Sequence, residues 1–184
     1  MASVASAYHF TPEEFLRAWD AGAFSTHVEM VEGEVWPVSI GQWHGDTTGR
    51  ITRALPNDRF VVTTASLITE DSVPDPDCWM RPAAAEGVDR VGRRLTRWEP
   101  TDVLLVVEVA DETVAQDLGT KAGVYGRAGF SVYWVATREG IFEHSDPTPR
   151  GYRTRTTYRP GETIPVRHAA TELAVDNLLA PSAD

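Results

Sequence analysis

Asp102–Val135 reads DVLLVVEVADETVAQDLGTKAGVYGRAGFSVYWV, and the order of patterns inside it decides the fold. Val103-Leu104-Leu105-Val106-Val107 is a continuous apolar run bounded by Asp102 and Glu108. Such a run marks a central strand covered on both faces. A helix from about Val114 to Arg127 follows, closed by Gly129, and Val132–Ala136 is the next strand. Strand, helix, strand in that order predicts a crossover unit and an α/β domain.

Upstream, Thr11-Pro12-Glu13-Glu14 opens a first helix that runs to about Asp20, with Thr11 as N-cap and Glu14 completing a capping box. His27–Val31 and Glu34–Val38 flank the hairpin turn Glu32-Gly33. A second helix is expected from Gly41 to Leu55, then strands over Phe60–Thr64, Ser66–Thr69 and Asp77–Met80. Arg81–Pro100, polar and rich in Arg, reads as a long surface loop. Downstream, strands are expected over Ile141–His144, around Tyr152–Tyr158 and, briefly, near Ile164. Residues 1–184 read as one domain with its core over about 11–166, a frayed start at Ala2–Ala7 and a frayed tail from Ala180.

With 184 residues the chain can bury a sizeable core, and 42% hydrophobic against 24% charged residues is ordinary globular composition. The formal charge of −10 argues against coating nucleic acid or an anionic membrane by bulk attraction. No apolar run is long enough to span a bilayer, and no basic and apolar leader opens the chain. A single cysteine, Cys78, excludes an internal disulfide and any multi-cysteine zinc site, and suits a reducing cytoplasm. Of the 17 basic residues, only Lys121 is a lysine. Arginine serves as well on a surface, so a retained ammonium points to chemistry that arginine performs poorly.

Glu108 follows five apolar residues directly, where a charge is costly unless it is paired or bound to metal. A buried ion pair with an arginine is the plain structural alternative. Asp75 and Asp77 precede a strand, and Glu29, Glu32 and Glu34 crowd one hairpin. Carboxylates at neighbouring strand ends can converge on a hard cation such as Mg²⁺, although any single one is more often simply solvated. Lys121 stands at i, i+4 to both Asp117 and Tyr125. The histidines show no metal-ligand spacing, and no phosphate-binding glycine loop or nucleophile elbow is present.

Taken together, Pro76-Asp77 before a strand, an apolar strand ending in Glu108-Val109, then Asp117, Lys121, Tyr125, Gly129 and Tyr133-Trp134 resemble the Uma-type restriction endonucleases of the PD-(D/E)XK nuclease superfamily. The hairpin Glu29–Val35 and the helix residue His44 extend the similarity, which runs from about Thr11 to Val166. The resemblance implies a restriction-endonuclease-like mixed β-sheet flanked by helices, and a Mg²⁺-dependent nuclease with Mn²⁺ as a substitute. It implies Asp77 and Glu108 as metal-binding carboxylates, Lys121 as the catalytic lysine and Glu29 as an accessory acid, with His44 either a substrate contact or a satisfied, partly buried helix residue. The Val109 carbonyl is a candidate third ligand, and Asp117 and Tyr125, at i, i+4 to Lys121, are candidate accessory residues, an ordinary helix ion pair being the alternative for Asp117. Two departures stand out. The superfamily's usual lysine position, two after the glutamate, is Ala110, and Lys121 on the next helix takes its place. The family's usual serine-proline is Asp111-Glu112, two further acids that either help hold a cation or repel a phosphate backbone.

Positive charge gathers at Arg90, Arg93, Arg94 and Arg97, and again at Arg150, Arg153, Arg155 and Arg159. Arg153 and Arg155 alternate along a strand, so they share a face and are the candidate phosphate contacts. Pairing with the acids of a second subunit is an equal reading. The expectation is an endonuclease acting on nucleic acid, with DNA the first choice. A homodimer would suit two strands, with tryptophans left outside the core serving its interface. The alternative is a catalytically degenerate nuclease fold kept as a binding or assembly module.

Overall fold

The computed structural model describes residues 7–93 and 95–181. Most of Ala2–Ala7 and the last three residues of the expected tail lie outside them. Helix α1 (Pro12–Asp20) starts at the anticipated capping box: the Thr11 hydroxyl accepts the Glu14 amide and the Glu14 carboxylate accepts the Thr11 amide. Strands β1 (Val28–Val31) and β2 (Glu34–Pro37) form an antiparallel hairpin. Its two turn residues, Glu32 and Gly33, both take positive φ, as a two-residue turn matched to strand twist requires. Helix α2 (Gln42–Ala54) leads to β3 (Phe60–Thr63) and β4 (Cys78–Pro82). A small hairpin, β5 (Asp89–Val91) and β6 (Leu95–Arg97), precedes the central strand β7 (Leu105–Val109).

The helical segment after β7 has three parts. They are α3 (Val114–Gln116), a wide π-type turn over Asp117–Lys121, and α4 (Ala122–Arg127). Strands β8 (Val132–Thr137), β9 (Gly140–Thr148) and β10 (Gly151–Tyr158) follow. A last hairpin, β11 (Thr163–Val166) with β12 (Thr171–Ala174), ends in the short helix α5 (Val175–Leu178).

The main sheet has the order β10-β9-β8-β7-β4-β3. Only β7 and β8 are parallel, joined by the π-turned helix, and the other pairs are antiparallel. All five residues of β7 are buried, as its unbroken apolar run requires. One face of the sheet packs Val107, Val109 and Trp134 against Ile51 of α2, Ile164 of β11 and Leu178 of α5. The other packs Val106, Tyr133 and Val135 against Ala122 and Tyr125 of α4. A third apolar cluster joins Phe15 and Leu16 of α1 to Met30 of β1 and Leu95 of β6.

Several expectations need correction. Ser66–Thr69 is no strand: the Leu67 amide turns to the Pro74 carbonyl and the Thr69 amide to Ser72, closing a loop on itself. The segment 81–100 carries the β5–β6 hairpin, because Leu95 and Val91 have α1 to pack against. The central strand begins and ends two residues later than its apolar run, so Glu108 lies inside it. Ala180 is not frayed: its carbonyl accepts the Trp43 indole and its amide donates to Thr47, so the core extends beyond residue 166. Of the six tryptophans, Trp43, Trp79 and Trp134 are buried and Trp19, Trp36 and Trp98 half-buried.

Candidate active site

Asp77 stands immediately before β4 and Glu108 near the end of β7. Because the strands run antiparallel with Cys78 opposite Val107, both carboxylates arrive at one end of the sheet. The Val109 amide donates to Asp77 Oδ2 at 2.7 Å. Asp77 Oδ1 lies 3.0 Å from His44 Nε2 on the first turn of α2, and accepts the Thr48 hydroxyl at 3.4 Å. Burial alone would lower the His44 pKa, but the hydrogen bond and charge of Asp77 outweigh it and raise the value.

Glu108 points to the sheet face covered by the π-turned helix. Lys121 Nζ donates to its Oε1 at 3.0 Å and the Tyr125 hydroxyl to the same oxygen at 2.7 Å. The partner is therefore the lone lysine and not an arginine. The ammonium also lies 2.8 Å from Glu29 Oε1 and 3.7 Å from Asp117 Oδ1. Glu29 is aimed from β1, and its Oε2 accepts the Asp75 amide at 3.1 Å. Asp117 Oδ2 accepts the Thr113 hydroxyl at 2.5 Å.

Glu29, Glu108, Asp117, Lys121 and Tyr125 are buried, and three carboxylates share one ammonium. Burial pushes the Glu108 carboxyl well above the usual carboxylate range; Lys121 pulls it down, and Asp117, Asp77 and Glu29 push it further up. Burial raises Asp117 as well, against Lys121 and Thr113. For Lys121 burial favours the neutral amine, but Glu108, Glu29 and Asp117 overcome it and hold the ammonium charged above the ordinary lysine value. The cluster thus keeps more acid than base away from water, and the raised carboxyls and the raised ammonium both follow from that imbalance.

These side chains open onto one cleft of about 220 Å³ between the sheet end, the α2 N-terminus and the segment 37–41. Seven carboxylates line it against Lys121, its single Lys or Arg side chain. Asp77, Glu108, Val109, Lys121, Glu29, His44 and Asp117 all face it, while Tyr125 stands behind, reaching Glu108 from the core. The substituting acids Asp111 and Glu112 also line it. Asp111 is held by two bonds from Arg138, at 2.7 and 2.8 Å, and burial hardly opposes that pairing, so its carboxyl lies below the usual range.

The family model described as "Putative restriction endonuclease", Uma2, matches residues 12–178. The chain belongs to the Uma2 family. Among solved structures, the chain is similar to a crystal structure from Anabaena variabilis described as a putative nuclease belonging to DUF820. The TM-score is 0.67 at 15% identity, over 92% of this chain and 97% of that one. At that identity the likeness shows the fold, a restriction-endonuclease-like mixed sheet flanked by helices. No curated protein matches the sequence.

In this Uma2 chain the paired arginines lie apart from the cleft. Arg153 and Arg155 are exposed on β10, the edge strand three places from β7, and do not line the cleft. Arg155 lies over the Phe142 ring. Of the earlier arginine group, Arg97 pairs with Asp89 and Glu13. Two residues given no individual role in the sequence support the site. Asp75 carries Glu29 on its amide while its own carboxylate is held by His27 and by the Ser66 hydroxyl. Tyr133 donates its hydroxyl to the Asp117 carbonyl at 3.0 Å. Strand alternation carried the signal for Tyr133, since it shares a face with Val135, the partner of Glu108 across β7 and β8.

Proposed function

We propose that this chain is a divalent-cation-dependent endonuclease that hydrolyses phosphodiester bonds of nucleic acid, DNA first, with Mg²⁺ as the working ion and Mn²⁺ as a substitute. The observation that carries the reading is that Asp77, Glu108 and Lys121, from three separate elements, line one cleft.

The donor set fits a hard cation. Among the described residues no three His, Cys, Asp or Glu side chains form a closed ligand group. Mg²⁺ does not need one: it is commonly held by one or two carboxylates, with water and substrate phosphate oxygens completing its shell. Asp77 and Glu108 supply the carboxylates. The Val109 amide is directed at Asp77, and in a strand a residue's N–H and C=O project to the same side, so its carbonyl faces the Asp77 end as well. Both donors to Glu108 take Oε1, which leaves Oε2 for the ion. Bound there, the ion supplies Lewis acidity and a more acidic water.

The chain's own residues do the rest. Val109 and His44 fix the Asp77 carboxylate, and Tyr125 with Lys121 fixes that of Glu108. Lys121 carries the one positive charge next to the reacting phosphate and offsets charge that develops on its oxygens. Glu29 holds the ammonium from the opposite side and offers an acceptor for the attacking water's proton. A water oxygen bonds to phosphorus, one P–O ester bond breaks, and the leaving oxygen takes up a proton. A pair of chains would serve both strands of a duplex, which light scattering in the presence of DNA checks.

The test is cleavage of plasmid DNA and of single-stranded DNA and RNA by the full chain with Mg²⁺ or Mn²⁺. Lys121→Ala is expected to lose about 100-fold or more in rate with its circular dichroism spectrum unchanged. A wild-type chain that binds nucleic acid and cuts nothing with either ion would instead support the binding-module alternative.

A further inference from the structure

The helix that delivers Lys121 is not a regular one. Between α3 and α4 the backbone widens into a π-type turn over Asp117–Lys121, in which the Ala122 amide reaches back to the carbonyls of Asp117 and Gly119. A π turn holds its hydrogen bonds less favourably than an α turn and survives where something outside the helix compensates. Gly119 inside it weakens the preference for a regular helix. The outside compensation here is the Tyr133 hydroxyl. It rises from β8 beneath the turn, fully buried, and donates to the Asp117 carbonyl at 3.0 Å. That carbonyl thus takes donors from the Ala122 amide and from a tyrosine of the sheet. Asp117 and Lys121 bracket the turn, and both are buried against the carboxylate cluster.

We propose that Tyr133 is a positioning residue, whose hydroxyl holds the Asp117 carbonyl in the wide turn and so sets the reach of Lys121 to Glu108 and Glu29. This rests on the reading of Lys121 as the catalytic lysine. Tyr133 does not line the cleft, and its hydroxyl bonds to the Asp117 carbonyl, so it acts through the backbone. Its ring packs against Tyr125 and His144 and is kept in Tyr133→Phe, so that variant removes the hydroxyl alone.

The sole lysine makes the test direct, because the chain has a single side-chain ammonium to observe by ¹H–¹⁵N spectroscopy. In the wild-type chain that signal is expected to exchange slowly with water. In folded Tyr133→Phe it is expected to shift and to exchange at least about tenfold faster, with single-turnover cleavage down by about 10- to 100-fold and KM unchanged. An ammonium signal and a cleavage rate both unchanged in the folded variant would overturn the proposal. If wild-type protein cleaves nothing, the nuclease reading fails, while the ammonium signal still decides the positioning role. If the variant does not fold, the Ala122 amide of the wild-type chain decides it. Hydrogen exchange as slow as that of β8 amides supports a pinned turn, and exchange as fast as that of exposed helix amides overturns it.

Discussion

At Glu108 one carboxylate oxygen collects two donors inside a cluster with more acid than base. Function of this kind costs stability. The folded chain holds the Glu108 proton more tightly than the unfolded chain, whose carboxyl titrates near 4.5. Between that value and the raised folded one, the native state binds more protons than the unfolded state, so stability falls as pH rises across the window. Glu108→Gln keeps an acceptor for Lys121 and Tyr125 and cannot ionise. It is expected to be more stable than wild type at pH 8 by about 1 kcal/mol or more, with the gain shrinking toward pH 5. Cation binding is expected to be lost. Urea unfolding at the two pH values checks this, and a variant less stable than wild type at pH 8 would refute the account. At this scale the sequence was informative where burial and scarcity coincide. Glu108 stood out by its apolar neighbours and Lys121 by being alone. Arg153 and Arg155 share a face as alternation says, but alternation does not say how far their strand lies from the cleft.

Among the elements, α4 and β10 approach each other backbone to backbone at two glycines. A Cβ at Gly126 would lie 2.4 Å from the Gly151 carbonyl carbon and 2.6 Å from its Cα, backbone atoms that cannot swing aside. Gly126→Ala must lift the helix from the sheet and is expected to cost about 1–3 kcal/mol, read from the urea midpoint. Gly119→Ala, whose Cβ would meet nothing within 4 Å, is the control. Its stability is expected to stay or to rise by up to about 1 kcal/mol. Equal losses in both variants would mean that helix propensity and backbone approach have been confused. Elements with a strong local period, α1, the β1–β2 hairpin, β7 and β8, were legible in the sequence. The β5–β6 hairpin and the π turn were not. The hairpin's two apolar anchors, Val91 and Leu95, gain their meaning from α1 packing on them, and the turn gains its shape from Tyr133. Both are tertiary effects that no local window contains.

For the whole molecule, the charge of −10 and the acidic cleft together set how nucleic acid can approach. A phosphate entering a pocket of seven carboxylates and one ammonium meets repulsion until a cation intervenes. The exposed arginines of β10 stand away from that pocket, and Arg97 is engaged with Asp89 and Glu13. Binding to nucleic acid is therefore expected to depend on divalent cation more steeply than on basic surface. With the inactive Lys121→Ala chain, a fluorescent oligonucleotide should show no measurable retention in EDTA and clear binding in millimolar Mg²⁺ or Ca²⁺. The monovalent salt dependence should be shallow, with a slope of about −4 or weaker, because few phosphates are neutralised by Lys or Arg. Titration of Ca²⁺ at fixed salt gives the cation dependence, and titration of KCl at saturating Ca²⁺ gives the slope. Tight binding in EDTA with a steep salt slope would mean that a basic face, such as the one carrying Arg153 and Arg155, does the binding. The acidic cleft would then be a site that nucleic acid does not enter.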